Sequence, residues 1–298
     1  MSIALINERT EHFRDFGVWP RQQDLNVERW LENFFEEEKY IAEKLLSSFT
    51  YFNRSMTDAL LRQAIQKFLT GKWEDSSFNK PPSSIRMDKV RFVIVEGENP
   101  HVTDSGNLFA RKLRDAIRIP ESLILRPQQA LFDAASVKHF IFVDDFTGSG
   151  NQFLDTIERQ HNVTGPHQSF KTLVKDRTYS VSYCPCVMTS YSIYDRILPY
   201  YPEISLYPAH ILSEKHNATL SNSRIWDGLS PTQATDAVSA LKLISARAGY
   251  PLDDKSEDAW HGFHGLGLTV AFEHGIPDAS LPIFFSERNG WKPLMRRS

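Results

Sequence analysis

Two adjacent carboxylates, Asp144 and Asp145, follow directly on an apolar run and precede a short stretch of glycine and hydroxyl residues, FIFVDDFTGSG over 140–150. Gly148 and Gly150 allow the backbone to approach an anion closely, because they carry no Cβ. A helix predicted to begin just afterwards contributes free N–H groups and the positive end of its dipole. The pattern predicts a cradle for one phosphate group.

The acids beside this cradle must serve another part of the same ligand, since carboxylates repel phosphate. Carboxylates accept hydrogen bonds from sugar hydroxyls and hold Mg²⁺ through water. A ribose 5-phosphate that bears a 1-pyrophosphate offers a phosphate, a diol and a metal-binding group. We therefore predict Asp144 and Asp145 as partly solvated catalytic residues that also bind Mg²⁺ through water. The predicted phosphate- and ribose-binding residues are Thr147, Gly148, Ser149, Gly150, Asn151 and Gln152.

Strand and helix patterns alternate between residues 85 and 212. This alternation predicts an α/β core with a parallel sheet and flanking helices. Ligands of such sheets bind at the carboxyl ends of the strands. We therefore expect Asp144 and Asp145 at the carboxyl end of a central strand.

Two further regions flank the predicted core. Residues 1–84 carry apolar residues at helical spacing, which predicts an N-terminal helical region that ends in a polar linker over 71–84. Residues 213–298 predict an extension that packs on the core. It contains a helix opened at Ser230 and closed by Gly249, followed by a proline-rich segment.

Composition narrows the function classes. The chain has 298 residues, with 34 Lys and Arg against 37 Asp and Glu, so its net charge of −3 gives no reason to expect general nucleic-acid binding. The two cysteines, Cys184 and Cys186, are too close for an unstrained mutual disulfide and are predicted to be reduced core thiols. The sequence indicates neither a membrane helix nor a signal peptide, so we expect a cytoplasmic protein.

The stretch FIFVDDFTGSGNQF resembles the phosphoribosyl pyrophosphate loop of type I phosphoribosyltransferases. In that family, two acids after an apolar strand bind the ribose hydroxyls, and a later Thr/Ser–Gly pair binds phosphate. Asp144 and Asp145 match the acids, and Ser149 and Gly150 match the pair. Gln152 stands where Thr or Ser is usual, which removes one hydroxyl donor.

The same family places a pyrophosphate loop after its first core strand. Here VRFVIVEG leads into TDSGNLFARKLRDAI, where Asp104, Ser105 and Gly106 occupy that position. The loop before them is longer and more acidic than usual. His101 and Asp104 either help to bind pyrophosphate–Mg²⁺ or are simply solvated. The resemblance implies a type I phosphoribosyltransferase-like fold with Mg²⁺ as cofactor and phosphoribosyl pyrophosphate or a nucleotide as ligand.

A narrower resemblance covers more of the chain. WLENFFEEEKYIAEKLLSSFTYF, the loop VDDFTGSG and the terminal EHGIPDASLPIFFSERNGWKPLMRR together resemble a divergent phosphoribosyltransferase-like effector group of bacterial antiphage and retron systems. This implies a toxic or regulatory effector. Its partners would be a defence-system protein or a reverse transcriptase–RNA/DNA complex, and an oligomer is possible.

Three functions remain open. The first is an enzyme that makes or breaks the bond at the ribose anomeric carbon, which the complete loop favours. The second is a non-catalytic sensor of a nucleotide or of phosphoribosyl pyrophosphate, which Gln152 and the unusual first loop favour. Ordinary base salvage is third, because the chain has extra regions at both ends.

Other chemistry-bearing residues are expected to have plain structural roles. His261 and His264 are predicted to be polar loop histidines rather than a metal pair, since no third ligand is near in sequence. Arg111, Lys112 and Arg114 are predicted to lie mostly on a helix surface. No Gly-x-Ser-x-Gly elbow supports a hydrolase triad.

Overall fold

The structure is a computed structural model. It describes residues 3–70, 86–97, 105–164, 168–176, 178–253 and 259–297. The predicted linker over 71–84 lies outside the described residues, and so do His101 and Asp104.

The described part of the chain contains nine α-helices and eight β-strands. The helices are α1 (Ile3–Asp15), α2 (Val27–Leu31), α3 (Lys39–Ser48), α4 (Arg54–Thr70), α5 (Ser105–Lys112), α6 (Pro127–Phe132), α7 (Asn151–Glu158), α8 (Phe170–Lys175) and α9 (Pro231–Arg247). The strands are β1 (Thr50–Phe52), β2 (Val90–Ile94), β3 (Ile124–Leu125), β4 (His139–Thr147), β5 (Ser180–Thr189), β6 (Ser205–Leu206), β7 (His210–Leu212) and β8 (Val270–Phe272).

The chain divides into two compact units. One contains Thr57–Ile211, and the other combines Met1–Met56 with Leu212–Ser298. This differs from the three-part division predicted from the sequence, because the two ends of the chain share one core. Within that core the indole N–H of Trp30 donates to the carbonyl oxygen of Ile283 at 2.7 Å.

The unit Thr57–Ile211 is built on a parallel sheet with strand order β3-β2-β4-β5-β6, and β7 pairs with β5. Strand β4 lies between β2 and β5 and is parallel to both. Its residues Phe140 to Val143 are fully buried, as expected for a strand covered on both faces. The predicted α/β fold with a parallel sheet is confirmed.

Helices α7 and α8 cover one face of this sheet. Phe153 of α7 and Phe170 of α8 pack edge-on against Phe142 of β4, with ring centroids 5.5 Å and 4.8 Å away. A π-helical turn, Ser192–Ile197, follows β5 and contributes to the same core. These contacts fix the start of α7, where the predicted phosphate loop ends.

The other unit contains the predicted C-terminal extension. Ser230 caps the start of helix α9, where its Oγ accepts the N–H of Gln233, and the chain turns at Gly249 with φ +89°. The predicted helix from Ser230 to Gly249 is confirmed. Strands β1 and β8 form a separate two-stranded parallel sheet. None of the helices in the described part of the chain is long and apolar enough to cross a membrane.

Candidate functional site

The two predicted acids are the sixth and seventh of the nine residues of β4, the central strand of the sheet. The position agrees with the sequence prediction, with one correction. The acids do not end the strand, because the pairing of β4 with β5 continues to Thr147, which is opposite Met188. The strand therefore carries the chain past both carboxylates before the glycine loop begins.

Asp144 is buried inside the unit and is only 2% exposed. Its Oδ2 accepts the hydroxyl of Tyr183 at 3.1 Å, and its Oδ1 accepts the backbone N–H of Asp145 at 3.0 Å. Burial raises the pKa of Asp144 well above its usual range, and the neighbouring Asp145 carboxyl raises it further. The expectation of a partly solvated acid is therefore wrong for Asp144, whereas Asp145 is half-buried.

Tyr183 of β5 connects Asp144 to the loop. Its hydroxyl lies 2.7 Å from Oγ1 of Thr147, and its ring stacks on Phe153 with a centroid distance of 3.9 Å and an interplanar angle of 3°. The hydroxyl of Thr147, predicted to face a ligand, therefore lies beneath the loop. Sequence reasoning missed Tyr183, and the available signal was weak: a single tyrosine in an apolar strand.

Two hydroxyl side chains hold the backbone carbonyls of the loop. Thr189 Oγ1 donates to the carbonyl oxygen of Gly148 at 2.5 Å. Ser192 Oγ donates to the carbonyl oxygen of Thr189 at 2.9 Å and lies 3.4 Å from that of Thr147. Oγ1 of Thr189 also accepts the N–H of Ser192 at 3.1 Å. The first two carbonyls of the loop are thus turned towards the end of β5.

The backbone N–H groups of the loop form fewer hydrogen bonds than its backbone carbonyls. Among the residues that the structure describes, no acceptor is found for the N–H groups of Ser149 and Gly150. Gly150 has φ +83°, a left-handed conformation that favours glycine, and it precedes the first turn of α7. Free N–H groups at the beginning of a helix are the usual way in which a backbone binds an anion.

The side chains after the loop are tied to one another. Ser149 Oγ accepts the backbone N–H of Asn151 at 3.3 Å. Arg196 donates to Oδ1 of Asn151 at 2.8 Å, which brings a guanidinium to the start of α7. Gln152 is half-buried in that first turn. Arg196 adds a cation near the loop that the sequence reasoning did not name.

The predicted pyrophosphate loop is described only from Ser105 onwards. Ser105 and Gly106 open helix α5, and Asp104 lies outside the described residues. A Cβ on Gly106 would lie 2.2 Å from the carbonyl oxygen of Val95, which no side chain tolerates. Gly106 is therefore required for the close approach of α5 to the end of β2.

Glu96 forms the junction between β2 and helix α7 and was not anticipated. It is 7% exposed, and Arg159 donates to its Oε2 at 3.1 Å. Arg159 also donates to the carbonyl oxygen of Gly97 at 2.7 Å. Thr156 Oγ1 accepts the backbone N–H of Glu96 at 3.1 Å, and its own proton is shared between the carbonyl oxygens of Gln152 at 2.8 Å and Glu96 at 3.0 Å. The beginning of the first loop is thereby fixed to α7.

The basic residues of α5 and the turn after it differ in environment. Lys112 is 7% exposed and its Nζ lies 2.5 Å from Oδ1 of Asp58, so the prediction of a surface position is wrong for this residue. Arg111 is exposed, as expected. Arg114 is about half-exposed and pairs with Asp115 at 2.8 Å.

The remaining polar candidates that the structure describes are not grouped as metal ligands. No group of three or more His, Cys, Asp or Glu side chains is arranged to hold a metal ion within the described ranges. A ring nitrogen of His261 lies 2.8 Å from the carbonyl oxygen of Gly262, and His264 packs against Phe263. Cys184 and Cys186 are buried free thiols, as predicted, and burial raises the pKa of each.

Comparison with known proteins shows the family of the chain. The family model PRTase-CE matches residues 27–297, which is most of the chain. No curated protein and no solved structure matches it. The chain belongs to the PRTase-CE family and contains a phosphoribosyltransferase-like domain.

Proposed function

We propose that the loop 147–152 binds the 5-phosphate of phosphoribosyl pyrophosphate or of a nucleotide, and that the protein acts at the ribose anomeric carbon. One observation carries the proposal. The carbonyl of Gly148 is held by Thr189 at the end of β5 and that of Thr147 faces Ser192 in the turn after it, while the N–H groups of Ser149 and Gly150 have no acceptor within the described residues. Such an arrangement favours an anion over a cation.

The two acids have different roles in this proposal. Asp145 is half-buried and accepts hydrogen bonds from the ribose hydroxyls. Asp144 is a positioning residue, because its Oδ1 holds the N–H of Asp145 and its Oδ2 accepts the hydroxyl of Tyr183. Tyr183 in turn orients Thr147, the first residue of the loop.

The residues that the structure describes suit a Mg²⁺ ion only if the bound substrate supplies most of the oxygen atoms that coordinate it. They offer no cluster of three metal-binding side chains, and Mg²⁺ in nucleotide sites is commonly held by one or two carboxylates together with substrate phosphates. Asp145 would hold it through water. When bound, the metal would neutralise the leaving pyrophosphate.

The reaction breaks the bond between the anomeric carbon and the pyrophosphate oxygen, and the bonding electron pair leaves with pyrophosphate. The ribose acquires positive charge as the bond lengthens. The Asp145 carboxylate beside the ribose stabilises that charge, and the backbone of Ser149 and Gly150 keeps the 5-phosphate in place. An acceptor nucleophile then forms the new bond at the same carbon.

Calorimetric titration with phosphoribosyl pyrophosphate in the presence and absence of Mg²⁺ tests the binding site. Asp145→Asn should weaken binding at least tenfold, because hydrogen bonds to charged groups contribute about 1.5–3 kcal/mol. Asp155→Asn, which changes an exposed acid of α7, is the matched control and should bind like the unmodified chain. Equal affinities for all three proteins would contradict the proposal.

A sensor is the second candidate, and two observations favour it. Gln152 replaces a hydroxyl donor of the family pattern, and Asp144 is enclosed rather than open to a ligand. Pyrophosphate release from phosphoribosyl pyrophosphate separates the two functions. If the protein binds phosphoribosyl pyrophosphate and releases pyrophosphate faster than the Asp145→Asn variant does, it is an enzyme. If it binds phosphoribosyl pyrophosphate and releases no pyrophosphate, it is a sensor.

We further propose that the protein is an effector of a bacterial antiphage system. The support is the resemblance of the N-terminal, loop and C-terminal segments to such effectors; a defence-system protein or a reverse transcriptase–nucleic acid complex would be the partner. Phage plating on cells that carry the gene with its neighbours tests this role. Loss of protection with Asp145→Asn, at unchanged protein level, is the expected result, and unchanged protection would contradict it.

A further inference from the structure

A cavity lies in the unit formed by Met1–Met56 and Leu212–Ser298. Its volume of about 670 Å³ falls within the range of small-molecule sites. Tyr51 of β1 lines it and is only 5% exposed. The hydroxyl of Tyr51 has no hydrogen-bond partner among the described residues, although it is not sealed in the core. A buried hydroxyl that borders a cavity and has no hydrogen-bond partner in the protein is a group to which a ligand would form a hydrogen bond.

The cavity is at the carboxyl ends of two parallel strands. Arg54 follows β1, and Glu273 and His274 follow β8 directly. The strands are in register there, with Phe52 opposite Phe272. Carboxyl ends of parallel strands are the usual position of ligand sites, because loops and free backbone groups converge there.

Charges of both signs border the cavity. Burial and, after it, the nearby carboxylates of Glu273 and Asp24 together raise the pKa of Tyr51 to about 12, so the hydroxyl lies in a negative potential. Asp24, Glu273 and Arg54 form no ion pair with any residue in the described part of the chain. Arg296, by contrast, lies 3.2 Å from Glu287. The unpaired groups thus comprise two acids and one guanidinium.

We propose that this cavity binds a small zwitterion. Its protonated amine or guanidinium lies against Asp24, Glu273 and the Tyr51 hydroxyl, and its carboxylate faces Arg54. The ring of Trp19, 7% exposed, forms an aromatic wall suited to a cation. A dianionic phosphate fits poorly, since two carboxylates stand at the site.

Calorimetric titration of the full chain with L-arginine tests the site, with agmatine as the probe that lacks the carboxylate. L-Arginine should bind saturably, and Glu273→Gln should weaken it about tenfold or more. Tyr51→Phe should weaken it several-fold without unfolding the protein, because its hydroxyl has no protein partner. Arg54→Gln should weaken L-arginine but leave agmatine unchanged.

Glu8→Gln, a change to an exposed acid on α1, is the matched control and should leave both affinities as they are. Absence of L-arginine binding, or binding that Glu273→Gln and Tyr51→Phe leave intact, would overturn the proposal. Asp145→Asn should not change L-arginine binding, so this test is independent of the phosphate loop.

Discussion

Replacing Asp144 by Asn should make the protein more stable at neutral and alkaline pH than the unmodified chain. Burial and the neighbouring Asp145 raise the pKa of Asp144 in the folded state, while the unfolded chain has the ordinary value near 3.8. Between these two pKa values the folded protein binds one proton more than the unfolded one. The stability of the unmodified protein therefore falls as pH rises through that window.

The size of the effect follows from the proton count. One extra bound proton gives a slope of at most about 1.4 kcal/mol per pH unit. The Asn side chain has no such slope, and it retains the hydrogen bonds. Its amide can donate to Tyr183, whose hydroxyl then donates to Thr147, because either oxygen of that pair can be the donor.

Urea unfolding at pH 5, 6.5 and 8 measures this difference. The stability gained by Asp144→Asn should increase steadily with pH up to the folded-state pKa of the acid. Asp155→Asn, at an exposed position of the same unit, should show no comparable trend. Parallel pH profiles for Asp144→Asn and the unmodified protein would refute the argument that burial governs Asp144.

Three further changes should affect stability through contacts seen in the structure. Tyr183→Phe should cost about 1–3 kcal/mol in urea unfolding, because the buried polar atoms that it contacts lose their partner. Gly106→Ala should lower the melting temperature clearly, since a Cβ would lie 2.2 Å from the carbonyl oxygen of Val95; an unchanged value would contradict the close packing. Asp58→Asn should destabilise more than the exposed change Asp155→Asn, because Lys112 would lose its paired charge in a buried place.

The sheet and its central strand could be predicted from the sequence, because a parallel strand covered on both faces is a continuous apolar run. Residues 139–147 show this pattern, and so do 180–189. Helix α9 was equally clear, since Ser230 and Gly249 mark its ends. Short elements such as β1 and α6 carry too few residues for a periodic pattern and were not predicted.

The internal arrangement of the site was not accessible from sequence. Whether Asp144 faces a ligand or the core depends on Tyr183, which lies 39 positions away in the chain. Lysine is usually a surface residue, and Lys112 is buried in this structure where it pairs with Asp58. The grouping of the two chain ends depends on contacts such as that between Trp30 and Ile283, across 253 positions.

The left-handed backbone conformation of Gly150 is a further requirement of the proposed phosphate site. Gly150→Ala places a side chain at φ +83°, where strain is expected at the start of α7. Gly290 has a similar φ of +75° and open space around it, so Gly290→Ala is the matched control for strain alone. Titration of both variants with phosphoribosyl pyrophosphate should show weaker binding only for Gly150→Ala.

The most direct measurement is NMR of the backbone amides of Ser149 and Gly150 during titration with phosphoribosyl pyrophosphate and Mg²⁺. If these N–H groups bind the 5-phosphate, both amide protons should shift downfield and saturate at the affinity found by calorimetry. Amides of the β1–β8 sheet should not move in the same titration. Unchanged Ser149 and Gly150 resonances at a ligand concentration that saturates calorimetric binding would contradict the proposed phosphate site.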